Sequence, residues 1–208
     1  MYVVELIGVA AAAICGAMAA IDKKADAFGV LFLAVITALG GGVLRDVLIG
    51  HLPPRMFTSY IYIALSVFCA LLVFLDAYIR REKYKAHREK LVAVMNVFDA
   101  VGLASFTIVG MDIAIAECGM DNPLLVMVLG MITGFGGGMF RDVLTNSMPM
   151  VLRKRVYALA SLAGALLYYV LLYFGADSML SAVVAMLLMI VLRILATVFR
   201  WNLPRAEL

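Results

Sequence analysis

Apolar residues run along this chain in stretches of about 20, without alternation and with short polar connections between them. That is the length at which a helix crosses a hydrocarbon core of about 30 Å. The pattern predicts helices at Val3–Ile21, Ala27–Ile49, Thr58–Ile79, Leu91–Ala116, Pro123–Thr145, Val156–Gly175 and Ser178–Phe199. Continuous apolarity in place of a period of two argues against a transmembrane barrel. The expected fold is therefore all-α: a polytopic membrane protein of seven transmembrane helices, with residues 1–208 as a single membrane domain.

Composition strengthens this reading. Of 208 residues, 65% are apolar and 15% charged, with no polar stretch long enough for a soluble domain. The first span lacks a basic leader and is followed by Asp22-Lys23-Lys24, which fits a retained helix better than a cleaved signal. The net charge of +3 is not a nucleic-acid signal, because the basic residues segregate by loop. Lys23, Lys24, the run from Arg80 to Lys90, Arg153–Arg155, Arg200 and Arg205 fall on one side, while the opposite side holds Arg55 with Glu117, Asp121 and Asp177. Positive loops face the cytoplasm, so the N-terminus is expected outside and the C-terminus inside. Arg193 lies close to the end of the last span and is expected to snorkel to the interface. Cys15, Cys69 and Cys118 have no metal or redox spacing.

The sequence Gly-Gly-Gly-x-x-Arg-Asp-Val-Leu occurs twice, at Gly40–Leu48 and Gly136–Leu144, with Pro53 and Pro149 following at the same distance. Over Gly40–Pro53 and Gly136–Pro149, eight of fourteen positions are identical at an offset of 96. Each copy belongs to a set of three spans. An odd number reverses direction, so residues 1–79 form one repeat, residues 91–175 an inverted repeat, and residues 178–199 a seventh helix. Glycine-interrupted spans at matching positions of two inverted halves point to a transport site between them.

Two readings of the glycines stay open. Kinks at Gly40, Gly41, Gly42, Gly136, Gly137 and Gly138 would free backbone carbonyls to line a cation path; alternatively, the missing side chains let helices approach closely. Arg45 and Asp46, like Arg141 and Asp142, are helix neighbours that point about 100° apart, so each is expected to find partners elsewhere. The candidates are the other repeat (Arg45 with Asp142, Arg141 with Asp46) or Glu5 and Asp99. Charges in a span are functional candidates by default, although these can also lock the bundle or snorkel. Thr37, Thr133, Ser105 and Thr107 are candidate neutral wall groups, unless their hydroxyls bond their own backbone.

The doubled block, the three-plus-three-plus-one helix count and the length resemble the prokaryotic branch of the trimeric intracellular cation (TRIC) channel family, whose domain has also been labelled a glycine transporter. The resemblance implies a homotrimer with a potassium-permeable pore in each subunit, running between the repeats past kinks in the second and fifth spans. It would make the six glycines the kink positions, with Arg45, Asp46, Arg141 and Asp142 beside them. The animal members carry a Lys-Glu-Val signature that this chain lacks.

The leading expectation is a channel for potassium or other monovalent cations in the cell (inner) membrane, with lipid as its surroundings and no cofactor. The alternative is a carrier for a small neutral solute such as glycine, rocking around a midplane site. An enzyme is not expected, since the sequence has no His-Glu-x-x-His motif and its two histidines, His51 and His87, both fall in loops.

Overall fold

The computed structural model describes residues 1–80, 88–153, 156–199 and 201. Arg81, Lys83, Lys85, His87, Lys154, Arg155, Arg200 and Arg205, used above, lie outside the described residues. The helices are α1 (Tyr2–Asp22), α2 (Ala27–Leu48), α3 (Arg55–Thr58), α4 (Tyr60–Ile79), α5 (Arg88–Cys118), α6 (Pro123–Leu144), α7 (Met150–Arg153), α8 (Val156–Tyr173) and α9 (Ser178–Val198). Six of them, α1, α2, α4, α5, α6 and α9, are long and apolar enough to cross a membrane, and the apolar stretch Tyr157–Tyr173 of α8 is shorter. The seven expected spans are all present as helices. The four-residue α3 and α7 are additions, too short for a hydrophobic period to register. At 31 residues, α5 is about 46 Å long and outreaches a 30 Å hydrocarbon core.

Caps repeat with the duplication. Asp26 accepts the Gly29 N–H at 2.7 Å at the start of α2, and Asn122, 96 positions on, accepts the Leu125 N–H at 3.0 Å at the start of α6. Each satisfies a donor that the first helical turn leaves free. At the other end of α2, the His51 N–H returns to the Asp46 carbonyl (2.8 Å) and the Gly50 N–H to Val47 (3.2 Å), with Gly50 left-handed at φ +75°. The same pair of bonds closes α6, from Ser147 to Asp142 (2.8 Å) and from Asn146 to Val143 (3.0 Å), with Asn146 at φ +49°. Both are Schellman ends, for which glycine and asparagine are suited.

Four helices form the centre. α1 packs on α2 and α5, and α6 packs on α2 and α5. α4 lies against α1 and α2, α8 against α6 and α5, and α9 against α8 and α5. The two larger apolar cores among the described residues come one mainly from α1, α2 and α4 and one from α5, α6, α8 and α9, with a small third cluster of Val4, Val109 and Ile113. Small residues bring the helices together: a Cβ on Gly16 of α1 would stand 2.6 Å from Thr37 Oγ1 of α2, and one on Gly110 of α5 would stand 2.5 Å from Thr133 Oγ1 of α6.

Candidate functional site: a glycine crossing between two buried Arg-Asp clamps

α2 and α6 cross at their glycine triplets. A Cβ on Gly41 would collide with the Thr133 carbonyl oxygen, and one on Gly137 with the Thr37 carbonyl oxygen. Gly136 closes the contact, since its Cβ would lie 3.0 Å from the Gly41 Cα. Only backbone can come this close to backbone. Position 41 faces 133 and position 37 faces 137, so the two helices run antiparallel through the crossing.

Both helices remain unbroken through Gly40–Gly42 and Gly136–Gly138. Of the two readings of the glycines, the close approach of helices is the one these contacts show. Surrendering helical hydrogen bonds costs several kcal/mol each where water cannot replace them, and the contacts at Gly41 and Gly137 are those of close packing.

The charges sit beyond the crossing. In the antiparallel register, position 45 of α2 lies level with position 129 of α6, so Arg45 and Arg141 are separated by about 18 Å along the axis. That distance corrects the expected cross-repeat pairs: neither Arg45 with Asp142 nor Arg141 with Asp46 is formed. Each arginine turns back on its own neighbour instead, correcting the expectation that adjacent helical positions would not pair. Arg45 donates from Nε (2.9 Å) and Nη2 (2.7 Å) to Asp46 Oδ1. Arg141 donates from Nε to Asp142 Oδ1 at 2.9 Å, with Nη2 at 2.8 Å from the same oxygen. The arginine stem is long enough to bend around the final turn and offset the angle between the two Cα–Cβ bonds.

The second oxygen of each aspartate does separate work. Asp46 Oδ2 accepts the backbone N–H of Arg55 at 2.8 Å, and Asp142 Oδ2 accepts that of Met150 at 2.8 Å. These N–H groups open α3 and α7. Each Arg-Asp unit thus clamps the end of a spanning helix to the start of the next short one. All four charged side chains are buried, so the pairing offsets a desolvation cost that a lone charge would not survive.

The two clamps differ in their outer partners. Arg141 reaches Asp99 Oδ1 of α5 with Nη1 at 3.0 Å, as one of the sequence expectations had it. The same Nη1 meets Cys15 Sγ of α1 at 2.9 Å. Asp99 Oδ2 accepts a second guanidinium, Arg193 Nη2 of α9, at 2.9 Å. Arg193 Cζ lies 4.1 Å from the centre of the Tyr157 ring, a cation–π arrangement. Arg193 is 3% exposed, which corrects the expectation that it snorkels: a carboxylate inside the bundle holds it more strongly than the interface does. Elsewhere Glu5 accepts the Tyr62 hydroxyl at 2.9 Å and Met56 fills the space at Gly42; Arg45 Nη1, Arg141 Nη2 and Arg193 Nε each lack a hydrogen-bond partner among the described residues.

The hydroxyls divide. Thr37, Thr133 and Thr107 each donate to the carbonyl four residues back, at 2.6, 2.6 and 2.7 Å. Thr37 and Thr133 flank the crossing. Thr107 also meets Ser161 Oγ of α8 at 3.0 Å, while Ser105 packs at Gly8 of α1, so these two lie at other helix interfaces. Ser105 Oγ is buried without a partner among the described residues. Beside Arg141, a recess lined by Gly138, Met139, Asp142 and Tyr157 leaves no room for a water molecule. Arg193, Tyr157, Cys15 and Tyr62 were missed as site residues. A charge within an apolar span was the signal available for Arg193; the other three carry none.

Fold and site together define a polytopic helical membrane protein organised around an antiparallel glycine crossing with a buried ion-pair clamp at each end. The chain matches the family described as "Glycine transporter" over residues 2–77 and 96–173. It belongs to that family, the trimeric intracellular cation (TRIC) channels. The UPF0126 inner membrane protein YadS of Escherichia coli (strain K12) is 33% identical over 205 residues, covering 98% of this chain and 93% of its own. A prokaryotic TRIC channel crystallised in 0.5 M KCl has a TM-score of 0.86 at 35% identity, over 98% of this chain and 100% of that one. The TRIC trimeric intracellular cation channel orthologue from Rhodobacter sphaeroides has a TM-score of 0.85 at 26% identity, over 96% of this chain and 98% of that one.

Proposed function

We propose that the protein is a cation channel of the inner membrane, permeable to potassium, with one path per subunit of a homotrimer. Residues 1–79 and 91–175 act as two inverted units, the path follows the α2–α6 crossing between them, and the N-terminus lies outside. One observation carries the reading: the antiparallel contact of Gly41 with Thr133 and Gly137 with Thr37, set between two buried Arg-Asp clamps, in a chain whose structural relatives are TRIC channels. The faces of Gly40–Gly42 and Gly136–Gly138 supply neutral walls, while the Thr37 and Thr133 hydroxyls stay bonded to their own helices. Arg45 and Arg141, neutralised by Asp46 and Asp142, mark the two ends. A guanidinium beside the path weakens cation binding, which favours throughput over retention. The dry recess at Arg141 corresponds to a closed path, so conduction requires movement at the clamps.

A second reading, a carrier for glycine, is favoured by the description of the matched family. Purified protein in planar bilayers under a potassium gradient separates the two. Unitary currents reversing near the potassium potential support the channel. Electrical silence with saturable glycine uptake into liposomes overturns it in favour of the carrier.

A further inference from the structure

α9 has no counterpart among the duplicated spans, yet it delivers a charge to the carboxylate that also binds Arg141. We propose that Arg193 is a positioning residue that latches the Arg141 end of the path shut by sharing Asp99 with Arg141. This rests on the channel reading above. Asp99 receives one guanidinium on each oxygen, Arg141 at 3.0 Å and Arg193 at 2.9 Å. Two like charges are thereby held together in a buried place that neither would share without the carboxylate. The Tyr157 ring lies under Arg193 and the Cys15 thiol against Arg141.

Charge arithmetic gives the latch its sense. Arg141, Arg193, Asp99 and Asp142 sum to zero, and the recess beside Arg141 leaves no room for a water molecule. Withdrawing Arg193 leaves two carboxylates against one guanidinium, a net negative layer that attracts both water and cations. Gly138 stands where this matters, since a Cβ there would be 3.7 Å from Arg141 Nη2, 3.9 Å from Asp99 Oδ1 and 3.6 Å from the Tyr157 hydroxyl. The Arg45 end lacks such a device: Met56 fills the equivalent space at Gly42, and no described arginine from outside the duplicated spans reaches it. The latch is therefore one-sided, and α9 is its handle.

The test is single-channel recording of the full-length wild type, Arg193→Gln and Arg193→Lys under identical potassium gradients. Loss of a charge-assisted hydrogen bond present only in the closed state raises the open-to-closed ratio about tenfold to a hundredfold for Arg193→Gln. Arg193→Lys keeps the charge with fewer donors and falls between it and the wild type; it carries the test alone if the glutamine variant does not assemble. A purely structural arginine would lower yield and leave the ratio within twofold of wild type. That result, with unitary currents present in all three proteins, overturns the latch and leaves the channel standing. Absence of unitary currents in every protein, with saturable glycine uptake, overturns both. With Cys69 and Cys118 replaced by alanine, Cys15 should react with a membrane-impermeant methanethiosulfonate during openings of Arg193→Gln. Protection of Cys15 throughout those openings overturns the placement of the gate at this cluster.

Discussion

Replacing glycine by alanine at three helical positions gives opposite predictions from one chemical change. In each case alanine improves the helix by about 0.5–1 kcal/mol, because it loses less backbone freedom on folding. At Gly102 of α5 the added Cβ would meet Ala12 at 3.6 Å, an ordinary contact, so Gly102→Ala should stabilise by roughly that amount. At Gly41 and Gly137 the methyl would instead run into a carbonyl oxygen of the facing helix. No rotamer change relieves a clash with backbone, so α2 and α6 must part. Overpacking of this kind costs about 1–3 kcal/mol, which exceeds the helix gain. At about 2–4 °C per kcal/mol for a chain of this size, Gly102→Ala should rise by a few degrees in a detergent melting assay, and Gly41→Ala and Gly137→Ala should fall. Planar-bilayer recordings of the same proteins should show altered currents for the latter two alone. Melting points that rise at all three positions would refute the close crossing, and with it the placement of the path.

The ion-pair geometry gives two more predictions. A double-mutant cycle between Arg141 and Asp99 should yield a coupling of about 0.5–3 kcal/mol, and one between Arg45 and Asp142 a coupling near zero, because the first pair touches and the second is about 20 Å apart along the axis; equal couplings in thermal unfolding would contradict the assigned partners. Asp46→Asn leaves Arg45 buried without its countercharge and weakens the tie to the Arg55 N–H, a loss of about 3–5 kcal/mol, to be read as reduced yield and melting temperature.

Much of the fold was legible in the chain because hydrocarbon is an unforgiving solvent. The number of spans and their approximate limits are set by runs of apolar residues, and positions related by the offset of 96, Gly41 and Gly137 or Asp46 and Asp142, make like contacts. Local chemistry also repeats where the sequence does, in the helix starts at Asp26 and Asn122 and the left-handed ends at Gly50 and Asn146. The glycine triplets were legible as special positions, but a sequence cannot say whether a missing side chain admits solvent or another helix. The structure places another backbone there.

The charge partners were decided by tertiary geometry alone. Direction of crossing set the separation that forbids cross-repeat pairing, and the length of the arginine side chain allowed pairing with the next residue. Asp99, Arg141, Arg193, Tyr157 and Cys15 come from five helices, and no local pattern announces that they meet. A charge inside an apolar span states that it needs a partner. Which partner it finds depends on how whole helices pack, since packing sets distance and distance decides which buried charges can neutralise one another.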